Sequence, residues 1–105
     1  REAIQPYQGD YRSLQAEAGL PVVLLGTAWC GYCRKTREHL SKKGIAFADL
    51  DIEKSELAAR WHAELGAEGV PVMLIGDREI RGYNPTEVDA ALAALKPDRL
   101  ANALR

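Results

Sequence analysis

Cysteine, histidine, surplus charge of one sign and long apolar runs are all scarce in this chain of 105 residues. Fourteen basic residues against fifteen acidic ones leave a formal charge of −1. That is too little to grip a phosphate backbone or an anionic membrane, and no basic stripe with interleaved aromatics marks a nucleic-acid partner. No apolar stretch is long enough to span a bilayer. Internal repeats and low-complexity runs are missing, which excludes solenoid and linker architectures. The two histidines, His39 and His62, stand 23 positions apart; that is not zinc-site spacing, and no metal site is expected. Both cysteines fall in one short motif, so no pair is left for a structural disulfide framework. The length allows one domain with a modest core.

The motif is Cys30-Gly31-Tyr32-Cys33, placed directly after an apolar run and before a charged helical pattern. A CxxC pair that opens a helix has a physical reason to react. The first turn of a helix leaves backbone N–H groups unpaired and carries partial positive charge, which favours a thiolate at Cys30. Each pH unit of depression corresponds to about 1.4 kcal/mol. A helix end supplies about 1 to 2 kcal/mol in a partly buried geometry, so a larger depression draws on the Cys33 S–H and on nearby cations. Arg34, Lys35 and Arg37 all lie within two turns. Arg34, nearest the dithiol, is the cation expected to matter, while Lys35 and Arg37 read as a solvated face. Position assigns the roles: Cys30 at the helix mouth stays exposed and attacks, and Cys33 in the first turn resolves.

Residues 1–20 read as an irregular N-terminal extension with a short helix over Arg12–Ala18, preceding a domain over 21–105. Pro21–Leu25 is a continuous apolar run ended by Gly26, hence a buried strand. A helix over Gly31–Lys43 closes at Gly44, with Cys33, Thr36 and Leu40 on one face. Ile45–Ile52 is the second strand. A helix over Ser55–Leu65 stacks Leu57, Trp61 and Leu65 and stops at Gly66. Val70–Ile75 and Arg78–Arg81 form a hairpin through Gly76-Asp77. The last clear helix has a full start signal in Asn84, Pro85 and Glu87; its core stripe is Val88, Ala91, Leu92 and Leu95. Pro97 ends it, and a weak helix over Asp98–Arg105 follows. The order is βαβαββα, a parallel pair and an antiparallel hairpin in one α/β sheet. In such sheets reactive groups sit beyond the carboxyl end of a strand, where Cys30 falls.

From Val22 to Leu95 the chain resembles the glutaredoxins of the thioredoxin superfamily. The resemblance rests on Trp29-Cys30-Gly31-Tyr32-Cys33, Gly69-Val70-Pro71, Gly76-Asp77 and Gly82-Tyr83. It implies a thioredoxin-like, glutaredoxin-type fold, a four-stranded mixed sheet flanked by helices. It also implies a cis bond at Pro71 that lets the Val70 backbone pair with a thiol substrate. Cys30 and Cys33 are then the catalytic pair, and Trp29, Tyr32, Arg34, Val70, Pro71, Gly82, Tyr83 and Asn84 are the substrate-binding candidates.

Departures from the family pattern concern the substrate more than the fold. Leu24 stands where thioredoxins bury an acid, and Thr27 where glutathione-using glutaredoxins often carry a cation. Arg81-Gly82-Tyr83-Asn84-Pro85 replaces their double glycine and resembles the NrdH-type redoxins, which draw on thioredoxin reductase. The implied activity is thiol–disulfide exchange through the dithiol, acting on protein or glutathione mixed disulfides. No cofactor is expected to be tightly bound, glutathione or a thioredoxin-reductase-type donor supplies electrons, and the chain acts as a monomer. Glycine at position 31 keeps open the alternative of a glutathione-dependent [2Fe–2S] cluster carrier. Because the chain starts at Arg1 rather than Met, an upstream segment is expected to have been removed. A cytoplasmic placement is favoured, with the bacterial periplasm the alternative.

Overall fold

Strand-forming apolar runs organise the computed structural model, which describes residues 7–95. In chain order the elements are β1 (Tyr7–Gln8), α1 (Arg12–Ala18), β2 (Val22–Gly26), α2 (Gly31–Lys42), β3 (Ala48–Asp51), α3 (Glu56–Glu64), β4 (Val72–Ile75), β5 (Arg78–Arg81) and α4 (Pro85–Ala93). The sheet order is β1-β5-β4-β2-β3. β2 runs parallel to β3 and antiparallel to β4, and the β4–β5 hairpin is antiparallel. The expected four-stranded mixed sheet is therefore present, extended at its β5 edge by the two-residue β1, antiparallel through Tyr7–Glu79 and Gln8–Arg78.

The interior strands β2 and β4 are buried along their whole length, as continuous apolar runs should be when both faces are covered. Side-chain alternation sends Val22, Leu24, Met73 and Ile75 to one face, where they meet Leu40 of α2 and Val88, Ala91 and Leu92 of α4. Val23, Leu25, Val72 and Leu74 go to the other, with Tyr11, Leu14 and Ala58. Each such aliphatic side chain contributes about 1.5 to 3 kcal/mol when fully buried. Leu57, Trp61 and Leu65 pack half-buried against this second cluster.

From Tyr7 on, the lead-in is more ordered than an irregular segment. α1 occupies Arg12–Ala18 as expected, and buried Gln15 donates from Nε2 to the carbonyls of Pro21 (3.0 Å) and Gly76 (2.8 Å). Two strands are shorter than expected. Ile45 turns into the core with its N–H on the Leu40 carbonyl, so β3 begins only at Ala48. β4 begins at Val72, directly after the cis Val70–Pro71 peptide, rather than at Val70. Gly76 has φ +61°, the sign needed at the first central position of a two-residue hairpin turn. α4 ends at Ala93, short of the expected stop at Pro97; Pro97 itself and the terminal helix over 98–105 lie outside the described residues.

Candidate active site

β2 ends at Gly26, and four residues later Cys30 takes the N-cap position of α2, with φ −79° and ψ 120°. Its Sγ accepts the Cys33 N–H at 3.2 Å, doing with sulfur what a serine or aspartate oxygen does at other helix starts. Cys33 lies in the first turn and is fully buried, whereas Cys30 keeps 8% of its surface. The attacking sulfur is thus less open than its place at the helix mouth suggested. The Val70 carbonyl oxygen stands 3.9 Å from it and closes one side.

The two sulfurs are electrostatically unlike. Burial pushes the Cys30 thiol up, but the Cys33 thiol, the backbone N–H groups of Cys33 and Tyr32 and the Arg37 guanidinium act together against it, and the net direction is down. Burial, the hydrogen bond to Cys30 and the Cys30 charge push Cys33 up to about 11, against the opposing Thr27 backbone and Arg37. Cys30 is therefore the easier of the two sulfurs to ionise, and Cys33 the harder.

The cation behind this is Arg37, not Arg34. Arg37 follows Cys33 by one helical turn, so it extends along the same face. Its Nε reaches Asp49 Oδ2 at 2.9 Å and its Nη2 the Thr27 carbonyl at 3.0 Å. Arg34 points into solvent. The packing here is tight at Gly26: a Cβ would lie 3.0 Å from Cys33 Sγ and 3.4 Å from Arg37 Nη2, so these neighbours would have to shift by a few tenths of an ångström.

Around Cys30 the other expected residues take distinct places. Trp29 is 70% exposed rather than packed over the thiols, and its Nε1 donates to Glu53 Oε1 at 3.0 Å. Tyr32 and Tyr83 stack with ring centroids 6.0 Å apart and planes 11° from parallel, and Lys35 Nζ lies 5.5 Å and 5.8 Å from the two centroids. Val70 and Pro71 carry the cis bond, and Gly82, at φ +83°, donates its N–H to the Pro71 carbonyl at 2.8 Å. Asn84 Oδ1 accepts the Glu87 N–H at 3.2 Å, so that oxygen is engaged in capping α4. A cavity of about 280 Å³ opens beside Cys30, lined by Thr27, Trp29, Ile52, Glu53, His62, Glu68, Gly69 and Val70.

The glutaredoxin family model matches residues 22–80, which hold the dithiol, the cis-proline, β4 and all but the last residue of β5. The chain belongs to the glutaredoxin family. Its members are thiol–disulfide oxidoreductases, and this glutaredoxin is one. It is 34% identical over 84 residues to a glutaredoxin of Pseudomonas aeruginosa, covering 79% of this chain and 98% of that one. Among solved structures it resembles a glutaredoxin of Archaeoglobus fulgidus, with a TM-score of 0.63 at 27% identity, covering 76% of this chain and 91% of the other. Its fold is also shared with the NrdH-redoxin of Escherichia coli, with a TM-score of 0.61 at 20% identity over 66% of this chain and 91% of that one.

Sequence reasoning missed four residues near the nucleophile of this glutaredoxin: Arg37 as a cation acting on the thiols, and Glu53, His62 and Glu68 on the cavity wall. Arg37 was discoverable from its one-turn spacing after Cys33. Glu68 precedes Val70 by two residues and could have been noticed there. Glu53 and His62 reach the cavity only through the packing of α3 against the β2–β3 end of the sheet.

Proposed function

We propose that the Cys30–Cys33 dithiol exchanges disulfides by a two-step route. The Cys30 thiolate attacks a substrate disulfide, forms a mixed disulfide and releases the first substrate thiol. Cys33 then gives up its proton to the departing second thiolate, and its sulfur closes on Cys30. One substrate disulfide becomes two thiols, and two protein thiols become the Cys30–Cys33 bridge. The observation that carries this reading is the split between the sulfurs: Cys30 is lowered at the α2 N-cap while Cys33 is held at about 11, 0% exposed. The Val70 carbonyl at the nucleophile suits an N–H of an extended substrate strand.

Substrates in this reading are protein disulfides or small-molecule mixed disulfides, met by a monomer. No tightly bound cofactor is needed for the exchange. Electrons return from glutathione, as in the family at large, or from a thioredoxin-reductase-type donor, which the Gly82-Tyr83 pattern and the NrdH-redoxin likeness support. A [2Fe–2S] carrier is the second reading; it would draw on Cys30 alone in this chain, and a visible absorption band in freshly purified protein separates it from a bare dithiol.

Cysteine variants test the exchange. Cys30→Ser loses all disulfide reduction, and Cys33→Ser accumulates a mixed disulfide on Cys30 detectable by intact mass. Activity surviving in Cys30→Ser would refute the assignment. Glutathione-dependent turnover retained by Cys33→Ser would assign a monothiol route, and its loss the dithiol route.

A further inference from the structure

Negative charge crowds the nucleophile on one side. Of the side chains lining the 280 Å³ cavity with Cys30, Glu53 and Glu68 are carboxylates, and no lysine or arginine lines it. Glu53 accepts from the Trp29 indole, a neutral donor, and Glu68 has no hydrogen bond or ion pair among the described residues. His62 turns its Nε2 to the Gly69 carbonyl at 2.8 Å. A second, independent feature sits in the same wall. The Thr27 hydroxyl is buried with no hydrogen-bond partner, in a residue 1% exposed. A buried hydroxyl is rarely left unpaired, and Thr27 is among the residues that line the cavity. Carboxylates and an orphan acceptor beside a thiolate together define a place for a cation that donates hydrogen bonds.

We propose that this cavity selects disulfides carrying an ammonium or guanidinium close to the reacting sulfur, such as a cystine flanked by lysine or arginine, over anionic disulfides. The proposal rests on the exchange reading above. Exchange itself proceeds as already balanced: Cys30 forms the mixed disulfide, Cys33 closes the bridge, and two substrate thiols leave. Charge complementarity of this kind acts on encounter and on orientation of the attacked bond, and it weakens with salt.

Three symmetric disulfides test it: cystamine (cationic), hydroxyethyl disulfide (neutral) and dithiodiglycolate (anionic). Fully reduced protein is mixed with each, and oxidation of the two thiols is followed in a single turnover without a regenerating donor. Each rate is divided by that of 2-mercaptoethanol thiolate with the same disulfide, which removes differences in leaving-group chemistry. The normalised preference for cystamine over dithiodiglycolate is expected to be roughly tenfold at low salt and to shrink several-fold near 1 M salt, where the screening length is about 3 Å. In Glu53→Gln/Glu68→Gln the ratio falls toward one; Glu68→Gln alone, at an exposed and unpaired position, lowers it part-way and guards against a folding defect in the double variant. Turnover of hydroxyethyl disulfide without a charge ranking, or a ranking unchanged in both variants, overturns the cavity's role and leaves the exchange reading standing. Failure of all three disulfides overturns the exchange reading and this inference with it.

Discussion

At the scale of single residues, the chemistry turns on how differently two sulfurs three positions apart are treated. Cys30 at the N-cap gains N–H donors and the Cys33 thiol, whereas Cys33, a turn inward, has burial and the Cys30 charge against its ionisation. Lowering the folded-state pKa of an acid such as Cys30 stabilises the reduced fold above the unfolded-state pKa of about 8.5. That stabilisation is lost as pH falls through the lowered folded value. A stabilised thiolate also favours the reduced form and makes the disulfide more oxidising. Arg37 is the cation that touches this balance, so Arg37→Gln should move the pH midpoint of Cys30 alkylation upward. Its stability cost should be about 1 kcal/mol, because the Asp49 partner is 44% exposed and the ion pair is partly screened by water. Arg34→Gln is the control and should leave the midpoint in place; equal shifts in both variants would return the role to a diffuse helix-face charge.

At the scale of elements, the helix starts were the most readable part of the chain. Asn84, Pro85 and Glu87 predicted the start of α4 to the residue, and the Asn84 side chain caps the Glu87 N–H as the pattern requires. Asn84→Ala should lower stability by about 1 kcal/mol, seen as a lower urea midpoint at unchanged slope. A larger loss of exchange rate than of stability would instead show Asn84 contacting substrate. Interior strands were readable because both faces are covered and the apolar run is unbroken, as in β2. Edges were not. β3 lost its first three expected residues because Ile45 serves the α2 C-terminus, a tertiary preference that overrides strand propensity. His39, an apparent surface residue, meets Asp89 of α4 at 2.7 Å, and that carboxyl is held low first by this hydrogen bond. Nothing in the spacing of two residues fifty positions apart announces such a pair.

At the scale of the whole molecule, one buried acid ties the lead-in to the sheet and to α3. Glu79 is 0% exposed, in a strand whose Arg-Glu-Ile-Arg sequence reads as a short polar edge. Alternation explains the burial: Ile80 faces the α4 cluster, and Glu79 and Arg81 face the side that Tyr11 covers. The Tyr11 hydroxyl donates to Glu79 Oε1 at 3.2 Å, and Arg81 Nε donates to Glu79 Oε2 at 2.6 Å. Arg81 Nη2 then reaches the Leu65 carbonyl at the end of α3, also at 2.6 Å, where a cation suits the helix C-terminus. The sequence hid this network because α1 and β1 had to be in place before Glu79 could be seen as interior. Glu79→Ala removes the carboxylate that Tyr11 and Arg81 share and leaves a largely buried guanidinium to be resolvated, so it should cost about 3 to 5 kcal/mol. Tyr11→Phe, which gives up one hydrogen bond and keeps the ring, should cost about 1 kcal/mol. Urea unfolding of both variants checks the ordering. A Glu79→Ala cost no greater than that of Tyr11→Phe would mean that the lead-in is held by packing of Tyr11 and Leu14 and by the Gln15 hydrogen bonds, without the carboxylate.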